Sequence, residues 1–336
     1  MQTLVLNNLG NILVTGGTGF VGSALVKKLV EEGLSVRVLD NNSRGKLSRL
    51  NGYLEKIDLY NKDVTSIDSC IEACQDVDTI FHLAAINGTE NFYKIPYKVL
   101  EVGVKGALNT LEAAAKCGVK NYIVTSSSEV YQEPTHKPTT EKERIIIPDI
   151  HNPRFSYSAG KIINEALAIH STAENLKTII CRPHNFYGPD MGLAHVIPQL
   201  ILRMKELSNN FKINNIDFPI QGTGKETRSF CFIDDGIDGL LFAATNGTTK
   251  EIYHLGTEDE ISISNLVIQI SNLLGLNINI LPSKSPKGGT QYRCPNISKI
   301  CNIGFQPKVA LADGLKETID YYLNHQPLKS TTEIVS

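Results

Sequence analysis

NILVTGGTGFVGSALVKKLVEEGLSVRVLD, residues 11–40, decides how the chain folds. An apolar, β-branched run (Ile12 to Val14) meets a glycine-rich turn. An amphipathic segment follows with Leu25, Leu29 and Val30 at helical spacing, and a second strand-like run, Val36 to Leu39, ends in an acid. The pattern predicts strand, turn, helix and strand. Gly16, Gly19 and Gly22 fall at the GxxGxxG spacing where strand becomes helix. The first makes the tight turn, the second admits a pyrophosphate to the backbone, and the third lets helix pack on strand. The phosphates would sit on the free N–H groups and positive dipole end of that helix, at Phe20 and Val21. Asp40 closes the second strand, where a carboxylate accepts both hydroxyls of an adenosine ribose and repels a 2′-phosphate, so the expected cofactor is NAD rather than NADP. Asn41, Ser43 and Arg44 follow in the adjoining loop, and Arg44 is a cation that works against that choice.

With 336 residues, 41% of them hydrophobic and 20% charged, the chain is long enough for about two domains and a substantial core. A net charge of −2 with scattered basic residues offers no footprint for nucleic acid. No apolar run approaches the roughly 18 residues of a membrane span, and no basic-then-apolar leader opens the sequence, so a cytoplasmic enzyme is expected. The odd set of seven cysteines, Cys70, Cys74, Cys117, Cys181, Cys231, Cys294 and Cys301, lies mostly in apolar runs and reads as reduced thiols. Cys70 and Cys74 lack a second pair at zinc-finger spacing, so core packing is expected and no metal site.

Beyond Asp40 a polar loop leads to a third strand, Lys56 to Tyr60, and to Asp63 and Val64, which could meet an adenine edge. TIFHLAA, residues 79–85, is an apolar strand ending in Leu83, Ala84 and Ala85, at the carboxyl end where open parallel sheets bind ligands. Asn87 to Thr89 form the loop above. A long helical pattern covers 94–117, a buried strand Tyr122 to Thr125, and a proline-punctuated loop Pro134 to Pro153. A helix then runs from Tyr157 to about Glu174, before a strand from Thr178 to Cys181. This alternation predicts an α/β fold, a doubly wound parallel sheet over 1–181, with 228–250 returning to it. The rhythm breaks after Arg182. Residues 182–227 and 251–324 read as a smaller mixed α/β substrate lobe, and 325–336 as a polar tail.

Tyr157 and Lys161 stand four apart and so share a helix face. An ammonium beside a phenol favours the phenolate, and the positive charge of an oxidised nicotinamide would favour it further. A tyrosine so tuned takes the proton of a sugar hydroxyl while hydride leaves the same carbon. Lys161 could also hold the nicotinamide ribose, and Ser127, ending the preceding strand, could orient the hydroxyl.

In order, TGGTGFVG, Asp40, Asp63-Val64, HLAA, TSSSEVY, YSAGK, RPHNFYGP and ETRSFCFIDD resemble the extended short-chain dehydrogenase/reductase family across residues 10–323, more narrowly its NAD-dependent nucleotide-sugar epimerases and dehydratases. The resemblance implies a Rossmann-type sheet, a tightly held NAD reduced and reoxidised in each turnover, and Ser127, Tyr157 and Lys161 as the catalytic trio. It also implies a nucleotide-diphosphate sugar substrate contacted by Asn87, Thr89, Ser128, His184, Asn185, Arg228 and Arg293. Guanidinium forks suit phosphate oxygens. A homodimer joined through the helices at 94–117 and 157–175 is expected from the family alone.

Two positions depart from the family pattern: Gly103 stands where an asparagine is usual, and Gln132 where glycine follows the SEVY tyrosine. The Ser128-Glu129 pair replaces the Asp-Glu of thymidine-linked glucose dehydratases and looks like that of some GDP-sugar dehydratases and UDP-glucuronate decarboxylases. Glu129 beside a ketone could remove an acidified α-proton, and His195 stands where related enzymes put a lysine above the sugar. The sequence reading settles on C4 oxidation followed by re-reduction, a 4-epimerase. Its rivals are 4,6-dehydration with Glu129 as base, uronate decarboxylation, net dehydrogenation, or a dinucleotide sensor without turnover.

Overall fold

The computed structural model describes residues 5–193, 195–284 and 290–325. Nearly all of the expected tail therefore lies outside the described residues. The first half alternates as β1 (Ile12–Thr15), α1 (Phe20–Glu31), β2 (Val36–Leu39), β3 (Ile57–Tyr60), α2 (Ile67–Cys74), β4 (Thr79–His82), α3 (Thr89–Lys94), α4 (Pro96–Cys117), β5 (Asn121–Thr125), α5 (Ser156–Ile169) and β6 (Lys177–Pro183). The second half holds β7 (Phe186–Tyr187), α6 (Val196–Leu207), β8 (Asn215–Pro219), β9 (Thr227–Ser229), β10 (Cys231–Phe232), α7 (Ile233–Asn246) and β11 (Glu251–Leu255). It ends with β12 (Glu260–Ser262), α8 (Ile263–Leu273), β13 (Asn277–Leu281), β14 (Tyr292–Arg293), α9 (Ser298–Cys301) and α10 (Leu311–Asn324).

Seven strands form one parallel sheet in the order β3, β2, β1, β4, β5, β6, β11. The order reverses between β1 and β4, the switch point at which such sheets open a crevice for ligand. Leu13, Val14, Phe81, Ile123 and Ile180 are fully buried in the central strands. Each such side chain contributes roughly 1.5–3 kcal/mol through the apolar area it removes from water. β11 is a correction to the sequence reading, which assigns 251–255 to the smaller lobe. Glu251–Leu255 pairs with β6 along its whole length, because α7 crosses the sheet and returns the chain parallel to its edge. Conversely, Arg228 and Ser229, expected to return with the large domain, lie in β9, which pairs with β12 and β14 in a three-stranded sheet of the smaller lobe.

Pro96 opens α4 and Gly118, at φ +71°, closes it with its N–H on Ala114 O. This helix packs along α5. A Cβ at Gly103 would stand 3.8 Å from Gly160 Cα, and the Asn164 amide, oriented to satisfy both, donates to the Gly103 and Gly160 carbonyls at 3.0 Å. Gly103 thus lies at the contact of the two helices, where a Cβ would still find ordinary van der Waals room. Gln132 takes φ +53°, the left-handed region where glycine is usual, and its Nε2 holds the Glu129 carbonyl at 2.5 Å. No described helix is long and apolar enough to cross a membrane.

Candidate active site

At the carboxyl ends of β1 and β2, Gly16 turns at φ +72° and its missing Cβ makes room for the Ala84 backbone at 2.8 Å. A Cβ on Gly22 would stand 2.1 Å from Gly16 O, so only glycine lets α1 start this close to β1. Phe20 and Val21 open α1, half-buried, with no acidic side chain in its first turn to occupy the amide end. Asp40 accepts N–H bonds from Thr18 (2.9 Å, Oδ2) and Asn42 (2.8 Å, Oδ1), one on each oxygen. Each oxygen retains a lone pair, which is what a ribose diol needs. Asn41 Nδ2 donates to Asp63 at 2.7 Å, joining the loops after β2 and β3, and Ser43 N–H caps Asn41 Oδ1 at 3.0 Å. Burial would raise the Asp63 carboxyl, but bonds from Thr65 and Asn41 and the Lys98 charge outweigh it and hold Asp63 below its ordinary range. The Val64 carbonyl accepts from Asn109 at 2.9 Å. Leu83 and Ala84 are held by Thr15 main-chain and hydroxyl oxygens, half-buried beside Ala85 at the end of β4. These residues fit a dinucleotide: a glycine cradle that a Cβ would fill, followed by an acid with acceptor capacity to spare.

Next to this cradle stands the trio. Ser127 caps the short turn Ser128–Val130 by accepting the Glu129 N–H at 3.1 Å. Tyr157, half-buried on the first turn of α5, hydrogen-bonds Ser127 and stacks on Phe92 with ring centroids 5.2 Å apart. Lys161, 3% exposed, donates to the Thr125 carbonyl at 2.6 Å, and its nitrogen lies 5.7 Å from the Tyr157 ring centroid. The sequence reading credits Lys161 with lowering the phenol's pKa. In the structure burial pushes the Tyr157 phenol up, Glu129 pushes it further up, and the Ser127 hydrogen bond is what works downward. The ammonium is engaged by a carbonyl at the end of β5. Burial also brings Lys161 down to about 8, against the opposing pull of Glu165.

Behind the trio lies a buried charged network that the sequence reading missed. Arg182 Nε and Nη2 donate to the two oxygens of Glu165 at 2.7 and 2.5 Å, and both residues are no more than 3% exposed. Ser126 Oγ donates to the same carboxylate, and Arg182 Nη1 donates to Tyr131 OH. Tyr131 OH donates onward to His254 Nε2 at 2.6 Å, and His254 Nδ1 to the Asn296 carbonyl at 3.0 Å. The helical spacing of Lys161 and Glu165 was available as a signal; the partner on β6 was not.

Glu129 faces the other lobe. Its Oε1 pairs with Arg293 Nη1 at 2.8 Å. Burial would raise the Glu129 carboxyl, but Arg293, Arg154 and Arg228 together hold it below its ordinary range. Arg293 also donates to Thr290 Oγ1 at 3.3 Å. Arg228 spends its donors on the carbonyls of Thr227 (2.7 Å), Thr290 (2.6 Å) and Gln291 (3.4 Å), and burial with the neighbouring Arg293 lowers its pKa to about 10. Arg154, three residues before Tyr157, joins this group although sequence reasoning did not single it out.

Asn185 takes φ +42° and donates to Ser229 O at 2.8 Å. His184 is buried, neither ring nitrogen meeting a hydrogen-bond partner among the described residues, edge-on to His254 at 4.6 Å, and burial holds it neutral. Ser128 is buried beside the trio, while Asn87 and Thr89 are exposed at the start of α3. His195 stands exposed at the start of α6. Its charged neighbour is Arg44 of the loop after β2 rather than a member of the trio.

A tyrosine, lysine and serine beside a glycine cradle, at the switch point of a parallel sheet, form a site that fits a dinucleotide and a hydroxyl-bearing substrate. The chain belongs to the NAD dependent epimerase/dehydratase family, whose model matches residues 12–256. It is an extended short-chain dehydrogenase/reductase with NAD as its cofactor. It is 31% identical over 92% of its length to a UDP-N-acetyl-α-D-glucosaminuronate decarboxylase of Bacillus cytotoxicus, covering 97% of that protein. A UDP-glucuronic acid decarboxylase of Xenopus tropicalis is also 31% identical, over 94% of this chain and 73% of that one. Among solved structures, the UDP-glucose 4-epimerase of Thermotoga maritima with UDP-glucose superposes with a TM-score of 0.81 at 28% identity, over 94% of this chain and 99% of the other. A dTDP-glucose 4,6-dehydratase of Streptomyces venezuelae with NAD bound gives 0.81 at 25% identity, over 93% and 97%.

Proposed function

We propose that this enzyme decarboxylates a UDP-linked uronic acid through a 4-keto intermediate. The observation that carries this reading is the Glu129–Arg293 ion pair. A carboxylate held below its ordinary range is a weak base for a C5 proton, which disfavours 4,6-dehydration with Glu129 as the base. Arginine charge in excess of the one glutamate suits a substrate with an anion beyond its diphosphate. The two uronate decarboxylases at 31% identity agree with this choice.

In the proposed reaction Ser127 orients the C4 hydroxyl and Tyr157 takes its proton as hydride leaves C4. The glycine cradle and Asp40 would hold NAD, which would supply the acceptor for that hydride and its return. The 4-ketone stands β to the C6 carboxylate, so the C5–C6 bond breaks, CO2 departs, and the electron pair passes to the enolate oxygen at C4. C5 is then protonated from solvent, and Tyr157 returns its proton to the C4 oxygen as the ketone is reduced. Lys161 holds charge beside the developing oxyanion.

Simple 4-epimerisation, which the sequence alone favours, is the second reading, since Ser127, Tyr157 and Lys161 suffice for it and a UDP-glucose 4-epimerase shares the fold closely. Incubation with UDP-glucuronate in deuterated water separates them. Decarboxylation gives a product lighter by CO2 with deuterium at C5. An epimerised uronate of unchanged composition and no carbon-bound deuterium refutes the proposal. The homodimer expectation would use Tyr97 and Leu108 of α4 and Ile163 of α5, which are exposed.

A further inference from the structure

Three guanidinium groups surround Glu129, and they differ in what their donors already hold. Arg228 is committed to three main-chain carbonyls, and Arg293 to Glu129 and Thr290. Arg154 is different. Its Nε is buried and has no hydrogen-bond partner among the described residues. A guanidinium has five donors and no acceptor, so only an acceptor brought by something else can satisfy that N–H. Leaving it unmet inside the protein forfeits its hydration without return.

The backbone fixes where this side chain emerges. Asn152 Oδ1 caps the turn Pro153–Phe155 by accepting the Arg154 N–H at 3.0 Å, and that turn runs directly into α5. Arg154 therefore stands one helical turn before Tyr157, the group that meets the C4 hydroxyl in the proposed reaction. Its charge acts on Glu129 together with those of Arg293 and Arg228. On a pyranose, C4 is flanked by the hydroxyl on C3 and by the C6 group on C5, and of these two only the C6 group can carry a charge. In a uronic acid that substituent is a carboxylate, whose two oxygens match the planar fork of an arginine.

We propose that Arg154 is the specificity-determining residue that binds the C6 carboxylate of the substrate, selecting a uronic acid over the neutral sugar. This rests on the uronate reading of the preceding section. Of the three guanidinium groups, Arg154 is the one whose Nε is buried without a partner among the described residues, while Glu129 engages Arg293.

The test uses the full-length, NAD-loaded protein and calorimetric titration with three probes, UDP-glucuronate, UDP-glucose and UDP. Arg154→Gln should weaken UDP-glucuronate by about tenfold to a hundredfold, the worth of a charge-assisted fork. UDP-glucose and UDP should bind as before. Arg154→Lys, which keeps the charge without the fork, should fall between, and it supplies the reading if the glutamine variant does not fold. Equal weakening of all three probes, or of none, overturns the assignment of Arg154. If the wild type releases CO2 and prefers UDP-glucuronate while Arg154→Gln keeps that preference, the uronate reading stands and the role of Arg154 falls. If the wild type neither prefers UDP-glucuronate nor releases CO2, both fall together.

Discussion

Arg182 and Glu165 offer the sharpest test of how the site is held. Both side chains are buried, bonded fork to fork at 2.5 and 2.7 Å, with Ser126 adding a third bond to the carboxylate. Arg182→Met leaves that carboxylate inside the protein with a hydroxyl as its remaining partner. Breaking a buried pair in this way costs about 3–5 kcal/mol, a large part of the roughly 5–15 kcal/mol that keeps a domain folded. Removing both charges together, as Arg182→Met with Glu165→Leu, should restore most of the loss, because no uncompensated charge remains. The coupling in this double-mutant cycle should exceed about 2 kcal/mol. Since the chain has no tryptophan, urea unfolding is best followed by circular dichroism. A cost below about 1 kcal/mol for Arg182→Met, or strictly additive single effects, would refute the reasoning. The same pair acts on Lys161. Glu165 opposes the burial that brings the amine to about 8, so Glu165→Gln should lower it further. Any step that needs the ammonium should then fail at a lower pH than in the wild type.

Gly22→Ala puts a methyl 2.1 Å from Gly16 O, and the retreat of α1 should weaken NAD by about tenfold or more in a calorimetric titration; unchanged affinity would sink the glycine reading. Tyr157→Phe should keep UDP-glucuronate binding but lose most turnover, since the proposed proton transfer uses the phenol in the transition state alone. A near-normal rate would remove Tyr157 as the base. Glu129 is held below its ordinary range, so its pairing stabilises the fold above the unfolded carboxylate pKa, about 4.3, and that contribution is lost as pH falls through the folded value. The stability gap between wild type and Glu129→Gln, about 1 kcal/mol or less for a half-buried pair, should therefore be widest near neutrality and close in acid. A gap that widens on acidification would contradict the sign.

What the sequence made legible was what neighbours in the chain decide. Gly16, Gly19 and Gly22 fall where β1 turns into α1, Asp40 sits just after a strand end, and Tyr157 and Lys161 share a helix face, so spacing together with the order of the motifs singled them out as candidates. β11 was illegible because five residues reading EIYHL become an edge strand through β6, some seventy positions away. The same holds for Arg182 with Glu165, and for the Thr125 carbonyl that engages Lys161: each is a meeting of separate elements. Arg154 lay three residues from Tyr157, yet nothing in its spacing distinguishes an arginine that faces Glu129 from one that faces solvent.

Ser127, Glu129, Tyr157 and Lys161 all come from the half of the chain that builds the large sheet, whereas Arg228 and Arg293 come from the small sheet of β9, β12 and β14. In the proposed reaction the hydride machinery and the Arg228 and Arg293 contacts are thereby written in different stretches of the gene, while Arg154 adds a substrate contact beside Tyr157 in the first. Substitutions around β9 and β14 can change the Arg228 and Arg293 contacts while leaving Ser127, Tyr157 and Lys161 in place. The fate of the ketone can shift with a residue or two after Ser127. Such a division lets proteins named decarboxylase, epimerase and dehydratase share one backbone at 25–31% identity. It also means that a changed substrate calls for the β9 and β14 segments together with the turn that carries Arg154.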